Sequence, residues 1–399
     1  MPVSSPLHPR DLHGISRLAT DGVLGVTDLV EHLHQSISSV ALGSAGGAGG
    51  RTTGLTGRVY ATVRGVTGLV GGTLDWTLGG LVQRFGVADS SATRDRTLAI
   101  LNGVLGDYLE ATSNPLAVPM SFVRDSDTGD ATPSPRLALF LHGLCLSDQH
   151  WDGEFALPRR LSESGYTTLR LRYNTGRHVS NNGTELAQRL NELVDSWPVP
   201  VTDLVLVGHS MGGLVARSAV RHAADENHAW IERLSRMVFL GTPHHGAPLE
   251  RAGHGVDRFL GASRFSRPFA RLGQLRSAGI TDLRHGNVMA EDWTGHDRFD
   301  APDDRRRPTP LPEGVKCYAI AASRSPGNET DIETGIEAAI DPAGGDGLVP
   351  IASALGDHLD PLFHLGIPDI HRAIVPNTGH LDLLRRRDVH DRVVEWLKN

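Results

Sequence analysis

The stretch LVLVGHSMGGLVARSAVRHAA, residues 204–224, decides how the rest of the chain is read. Four consecutive apolar residues, Leu204–Val207, predict a strand buried on both faces, as in the middle of a parallel sheet. Met211–Ala224 predicts a helix. Between them stands Gly208-His209-Ser210-Met211-Gly212, a G-x-S-x-G sequence placed at a strand, a sharp turn and a helix. In that context the serine sits on a strained turn and its hydroxyl projects from the sheet. Gly208 and Gly212 must be small because strand and helix crowd there. The helix N-terminus brings its free amides and positive dipole end to the same place.

Working outward, short β-branched runs alternate with helical ones from residue 117 onward. Strands are predicted at Ala117–Val123, Leu137–Leu141, Thr167–Tyr173, Leu204–Val207, Met237–Leu240, Val315–Ala321 and Arg372–Val375. Helices are predicted at Phe155–Ser164, Thr184–Ser196, Met211–Ala224 and Leu383–Leu397. This alternation predicts an α/β fold, a mostly parallel sheet flanked by helices, over residues 117–399. Residues 247–313 fit no βα unit and read as an insertion over the sheet's C-terminal edge, with a helical piece at Arg264–Leu275. Its apolar residues Phe259, Leu260, Phe265, Phe269 and Leu272 serve equally as a lid or as an anchor to the sheet.

Residues 1–116 form a Gly-rich helical N-terminal region, with helices predicted over 11–42 and 57–112 and a flexible connector at 43–57. Gly65, Gly72, Gly79 and Gly86 recur every seven residues, which puts a groove for a second backbone along one helix face. Gly65–Val82 is nearly apolar and interrupted only by Asp75, so a membrane segment is weighed against helix packing. Peripheral membrane contact or self-association through these helices is the partner expectation.

The 399 residues carry 46 Gly, 2 Cys and a formal charge of −7. Mild acidity excludes a nucleic-acid partner, which needs a clustered basic surface. The Arg305–Arg307 and Arg385–Arg387 triplets read as solvated faces. Cys145 and Cys317 give neither a disulfide framework nor a zinc cluster. MPVSSPLHPRDLHG lacks a basic segment followed by an apolar one, so no secretory signal is visible and a cytoplasmic location is expected.

An activated serine needs a base, an orienting acid and an oxyanion hole. For the hole, LFLHGL (139–144) ends a strand with His-Gly, so one amide is expected from Leu144 and the other from Met211. His142 itself reads as structural. Asp346 in GDGLVP (345–350) is the leading acid, since flanking glycines let its carboxylate turn inward. Asp341, Asp357 and Asp360 are rivals. His380, on the loop after the last strand, is better placed as base than His371 or His390. The chain order Ser210, Asp346, His380 is that of α/β hydrolases.

From about residue 135 to the end, the chain resembles bacterial lipases and esterases of the α/β-hydrolase superfamily. The resemblance lies in the branch that includes triacylglycerol lipases and GPI inositol-deacylase-like proteins. Its motifs are LFLHG (139–143), VGHSMGG (207–213), LGTPHHGAP (240–248), GDGLVP (345–350) and TGHLDLL (378–384). The resemblance implies hydrolysis of carboxylic esters through an acyl-enzyme, without a cofactor. An acyltransferase or thioesterase acting on lipid or CoA esters is the alternative. So is a hydrolase carrying a membrane- or partner-binding module. His244 and His245 look like a metal pair, but adjacent side chains seldom share an ion, so they read as structural and no metal ligand is assigned. Some related lipases hold calcium through an Asp two residues after the catalytic His. Asp382 matches, but Arg386 replaces the expected polar ligand, which argues against calcium.

Overall fold

A computed structural model describes residues 8–41, 52, 54–85, 92–124, 133–153, 156–247, 277–295, 306–326 and 345–398. The chain divides into two compact units. One comprises residues 1–91 with 109–117, and the other comprises residues 92–108 with 118–399.

The second unit is built on seven strands: β1 (Ser121–Arg124), β2 (Arg136–Leu141), β3 (Thr167–Arg172), β4 (Asp203–His209), β5 (Leu234–Leu240), β6 (Lys316–Ala322) and β7 (Arg372–Val375). Their spatial order is β1-β3-β2-β4-β5-β6-β7. Only β1 runs antiparallel to its neighbour. The strands β2, β4, β5 and β6 are buried along almost their whole length. A central parallel strand is covered on both faces, which is why these strands read as continuous apolar runs.

Leu204, Leu206 and Phe239 face one side of the sheet. There they pack with α5 (Val179–Asp195) and α6 (Met211–Asp225). Val205, Val207 and Val238 face the other side, with α4 (Leu157–Glu163) and α9 (Arg387–Lys398). Two shorter helices, α7 (Ala278–His285) and α8 (Ile351–Leu355), complete this set.

Several predicted boundaries shift for local reasons. The first strand begins at Ser121, four residues later than the apolar run. The last helix starts at Arg387, and Asp382–Leu384 forms a separate 3-10 turn. There the Asp382 carbonyl accepts from both Arg385 N and Arg386 N. The predicted 57–112 helix is two helices, α2 (Gly54–Phe85) and α3 (Ala92–Ala111). Most of α3, residues 92–108, lies in the sheet-bearing unit, although the sequence groups it with the N-terminal region. Of the insertion at 247–313, residues 248–276 and 296–305 lie outside the described residues. Arg264–Leu275 and all five apolar lid candidates are among them. Residues 277–295 contain α7, whose Asp282 accepts from Val179 N and pairs with His178 Nδ1.

In the first unit, α1 (Pro9–Ala41) pairs with α2. Arg17 donates to the carbonyls of Thr112 and Ser113, tying α1 to the segment after α3. The α1–α2 seam is polar. His13 pairs with Asp75 at 2.7 Å, and Arg64 pairs with Asp28 at 2.9 Å and with Glu31. The Arg64 guanidinium beside Glu31 holds its carboxyl down to about 2. Gly71 meets Thr20 of α1 and Gly79 meets His13, whereas Gly65 and Gly72 face open space, so the glycine heptad does not run along the seam. Gly86 lies outside the described residues. Among the described residues, no helix is long and apolar enough to cross a membrane.

Candidate active site

Ser210 links β4 to α6 with φ 54° and ψ −126°, a conformation that a non-glycine residue adopts only under constraint. The constraint comes from both sides. Ser210 N donates to the Leu240 carbonyl on β5 at 2.9 Å, and its own carbonyl accepts from Gly213 N at 3.0 Å. A Cβ at Gly208 would lie 2.6 Å from Gly213 Cα, and one at Gly212 would lie 2.8 Å from the His142 carbonyl. Both glycines are therefore demanded by the crowding of β2, β4 and α6.

The turn after β2 packs directly on the serine. A Cβ at Gly143 would stand 2.9 Å from Ser210 Cβ. Leu144 follows in this turn, closed by Leu146 N donating to the Gly143 carbonyl. Met211 opens α6, where backbone amides have no partner within the helix. Cys145 also carries a positive φ, 58°, and its amide donates to Thr175 Oγ1.

His380 and Asp346 form a buried pair, with Nδ1 2.6 Å from Oδ2. The other carboxylate oxygen, Oδ1, accepts from Leu348 N at 2.9 Å and Val349 N at 2.8 Å. Asp346 is fully buried, and His380 and Ser210 are nearly so. Three donors thus replace water around the carboxylate, which a buried charge requires. With the proton on Nδ1 directed at Asp346, the lone pair of His380 resides on Nε2.

His209 anchors this loop, donating from Nε2 to the His380 carbonyl at 3.0 Å, its ring 4.8 Å from the His380 ring. Burial holds the His209 imidazole well below its ordinary value. Gly241, at φ 57°, brings backbone against the His380 ring. A side chain there would begin 3.2 Å from Nδ1.

The rival candidates are occupied elsewhere. Asp357 pairs with Arg372 at 2.7 Å, and Asp360 caps Leu362 N. Asp341 lies outside the described residues. His371 packs its ring at a tilt against Tyr318, and His390 is buried in α9. His142 stacks on Tyr173 at 4.4 Å, and burial pushes its imidazole down to about 4, so it stays neutral. His244 Nδ1 accepts from Arg217 Nη1, and burial pushes His245 down to about 3. Asp382 Oδ2 accepts from Gly379 N, while Arg386 donates to Thr378 Oγ1. No group of three or more His, Cys, Asp or Glu among the described residues is arranged to hold a metal ion.

Sequence reasoning missed the supports of this site. Tyr173 donates to the His142 carbonyl at 2.6 Å, fixing the turn that carries Leu144. Gly103 of α3 abuts the Cys145 backbone, and Gly106 abuts Asn174. No motif marks these residues, because each acts through a contact between segments distant in sequence.

Residues 172–305 match the model of the PGAP1-like alpha/beta domain family. A mature lipase of Bacillus licheniformis is similar in structure, with 18% identity, 69% of this chain and 97% of the other covered, and a TM-score of 0.44. A thermophilic esterase from Thermogutta terrifontis is 14% identical over 70% of this chain and 93% of its own, with a TM-score of 0.37. A thioesterase of the prodiginine pathway in Streptomyces coelicolor is 17% identical over 66% and 89%, also at 0.37. No curated protein matches. The strand order and the β4–Ser210–α6 turn are those of the α/β-hydrolase fold, and residues 172–305 are similar to the PGAP1-like alpha/beta domain.

Proposed function

We propose that the protein hydrolyses carboxylic esters through a Ser210–His380–Asp346 triad. The observation that carries this reading is the buried His380–Asp346 pair in a domain whose one G-x-S-x-G serine is held at φ 54° between strand and helix. His380 Nε2 takes the Ser210 proton as Oγ attacks the acyl carbon. Asp346 keeps the imidazole in the needed tautomer and stabilises its charged form. The amides of Leu144 and Met211 receive the oxyanion, each such donor contributing about 10²–10³ in turnover. The imidazolium then protonates the leaving alcohol. His380 next draws a proton from water, which attacks the acyl-enzyme, and the imidazolium returns that proton to Ser210 Oγ as the bond to the serine breaks and the acid leaves. The reaction so drawn uses no cofactor.

The test is hydrolysis of a chain-length series of nitrophenyl esters, beside acyl-CoA substrates, by the wild type and Ser210→Ala. A loss of at least about 10³-fold in the variant is expected. Undiminished activity in Ser210→Ala overturns the triad. A preference for acyl-CoA by orders of magnitude replaces the esterase reading with a thioesterase or acyltransferase.

A further inference from the structure

The α1–α2 pair has its polarity reversed. Between Val59 and Gly80 the positions of α2 that are not exposed are Tyr60, Arg64, Thr67, Gly71, Asp75, Leu78 and Gly79, of which Arg64, Gly71, Asp75 and Gly79 meet side chains of α1. The exposed positions between Val59 and Gly80 are Val, Leu, Ala, Gly, Thr and one Trp. Among these described residues none is charged. Leu69 is 73% exposed and Trp76 is 83% exposed. The exposed side of α1 repeats the pattern with Leu12, Ile15, Val23, Val26 and Val30. Of the charged residues of α1, Arg17, Asp28 and Glu31 are placed on or beside the seam, in the pairs Arg17–Asp75, Arg64–Asp28 and Arg64–Glu31, with the pair His13–Asp75 next to them.

The few polar atoms on the outer side of α2 are already satisfied within the helix. Thr62, Thr73 and Thr77 donate their hydroxyls to the carbonyls of Arg58, Leu69 and Thr73, each four residues back. A face built for water would offer such groups outward. Here both charge and hydrogen-bonding capacity are turned inward, which suits a medium that supplies neither.

We propose that the α1–α2 pair is a docking surface for a lipid surface, lying in its plane with the outer side of α2 in the acyl region. The breadth of the apolar arc selects lipid over a protein partner. A second helix covers one stripe, whereas between Arg58 and Gly80 every described position of α2 outside the stripe at 60, 64, 67, 71, 75, 78 and 79 is exposed. The same charge pattern selects the lipid. Arg58, at the start of this stretch, is the one exposed cation among the described residues 58–80 of α2, and acids stand at the seam margins, so the surface is suited to zwitterionic rather than anionic headgroups.

The experiment is flotation of the full chain with phosphatidylcholine vesicles, with Trp76 emission as a second readout against a Trp76→Phe control. The chain is expected to float with the vesicles, equally in low and high salt, and Trp76 emission to shift to the blue. Val66→Glu together with Leu69→Glu changes only exposed positions and is expected to lower the bound fraction at least about tenfold. Circular dichroism and ester hydrolysis serve as checks that the variant is folded. Failure of the wild type to float overturns the proposal. Binding only to anionic vesicles, abolished by salt, overturns it in favour of surface charge. A discrete oligomer without lipid, dissociated by the double variant, overturns it in favour of an interface between copies of the chain.

Discussion

Asp346 and Tyr173 show how single side chains set the candidate site. The carboxylate of Asp346 divides its work, one oxygen holding His380 and the other holding the backbone of Leu348 and Val349. Asp346→Asn keeps an oxygen for the two amides and removes the charge facing the imidazole. The expected result is a kcat lower by about 10⁴ with a Tm close to wild type, read from ester hydrolysis and thermal unfolding. Tyr173 works at one remove from the chemistry, through the His142 carbonyl. Tyr173→Phe leaves that buried carbonyl without its donor, at a cost of about 1–3 kcal/mol in stability. It also frees the Leu144 turn, so kcat is expected to fall while KM stays within about twofold. A fall in stability with unchanged kcat would separate Tyr173 from the oxyanion turn.

At the scale of elements, the sharpest constraint is the approach of β2 to the first turn of α6. A Cβ at Gly212 intrudes on backbone carbonyls of Leu141 and His142, which have no rotamer by which to yield. Gly212→Val is therefore expected to lose more than about 3 kcal/mol, measured by denaturant unfolding, or to fail to fold. The helix α3 brings Gly103 and Gly106 against Cys145 and Asn174 in the same manner. Its glycines belong to the packing behind the Gly143–Cys145 turn, whereas those of α2 mostly face outward.

For the whole molecule, buried histidines set the response to acid. Burial pushes His142 to about 4 and His245 to about 3, and holds His209 and His244 well below 6.5. Each is neutral in the fold, while the unfolded chain takes up protons below about pH 6.5. The unfolded state therefore binds more protons in this window. Stability is complete above about pH 6.5 and falls as the pH drops toward 4, by up to about 1.4 kcal/mol per unit for each histidine. Denaturation midpoints between about pH 7.5 and 5 check this, and a flat profile would contradict it.

The sequence by itself determined the sheet, the serine turn and the leading candidates for acid and base. Each rests on a local pattern: an apolar run covered on both faces, a G-x-S-x-G at a strand end, a carboxylate between glycines. Periodicity and turn chemistry are properties of neighbouring residues, so they survive without the fold. Only the tertiary structure brought Asp346, rather than the other described candidates Asp357 and Asp360, against His380 across 34 residues. It alone assigned most of α3 to the sheet-bearing unit and turned the polar side of α2 toward α1 rather than toward water. The physical reason is shared by all of these. Partner choice depends on what a side chain meets across the fold, and burial, orphaned donors and steric crowding exist only once distant segments have met.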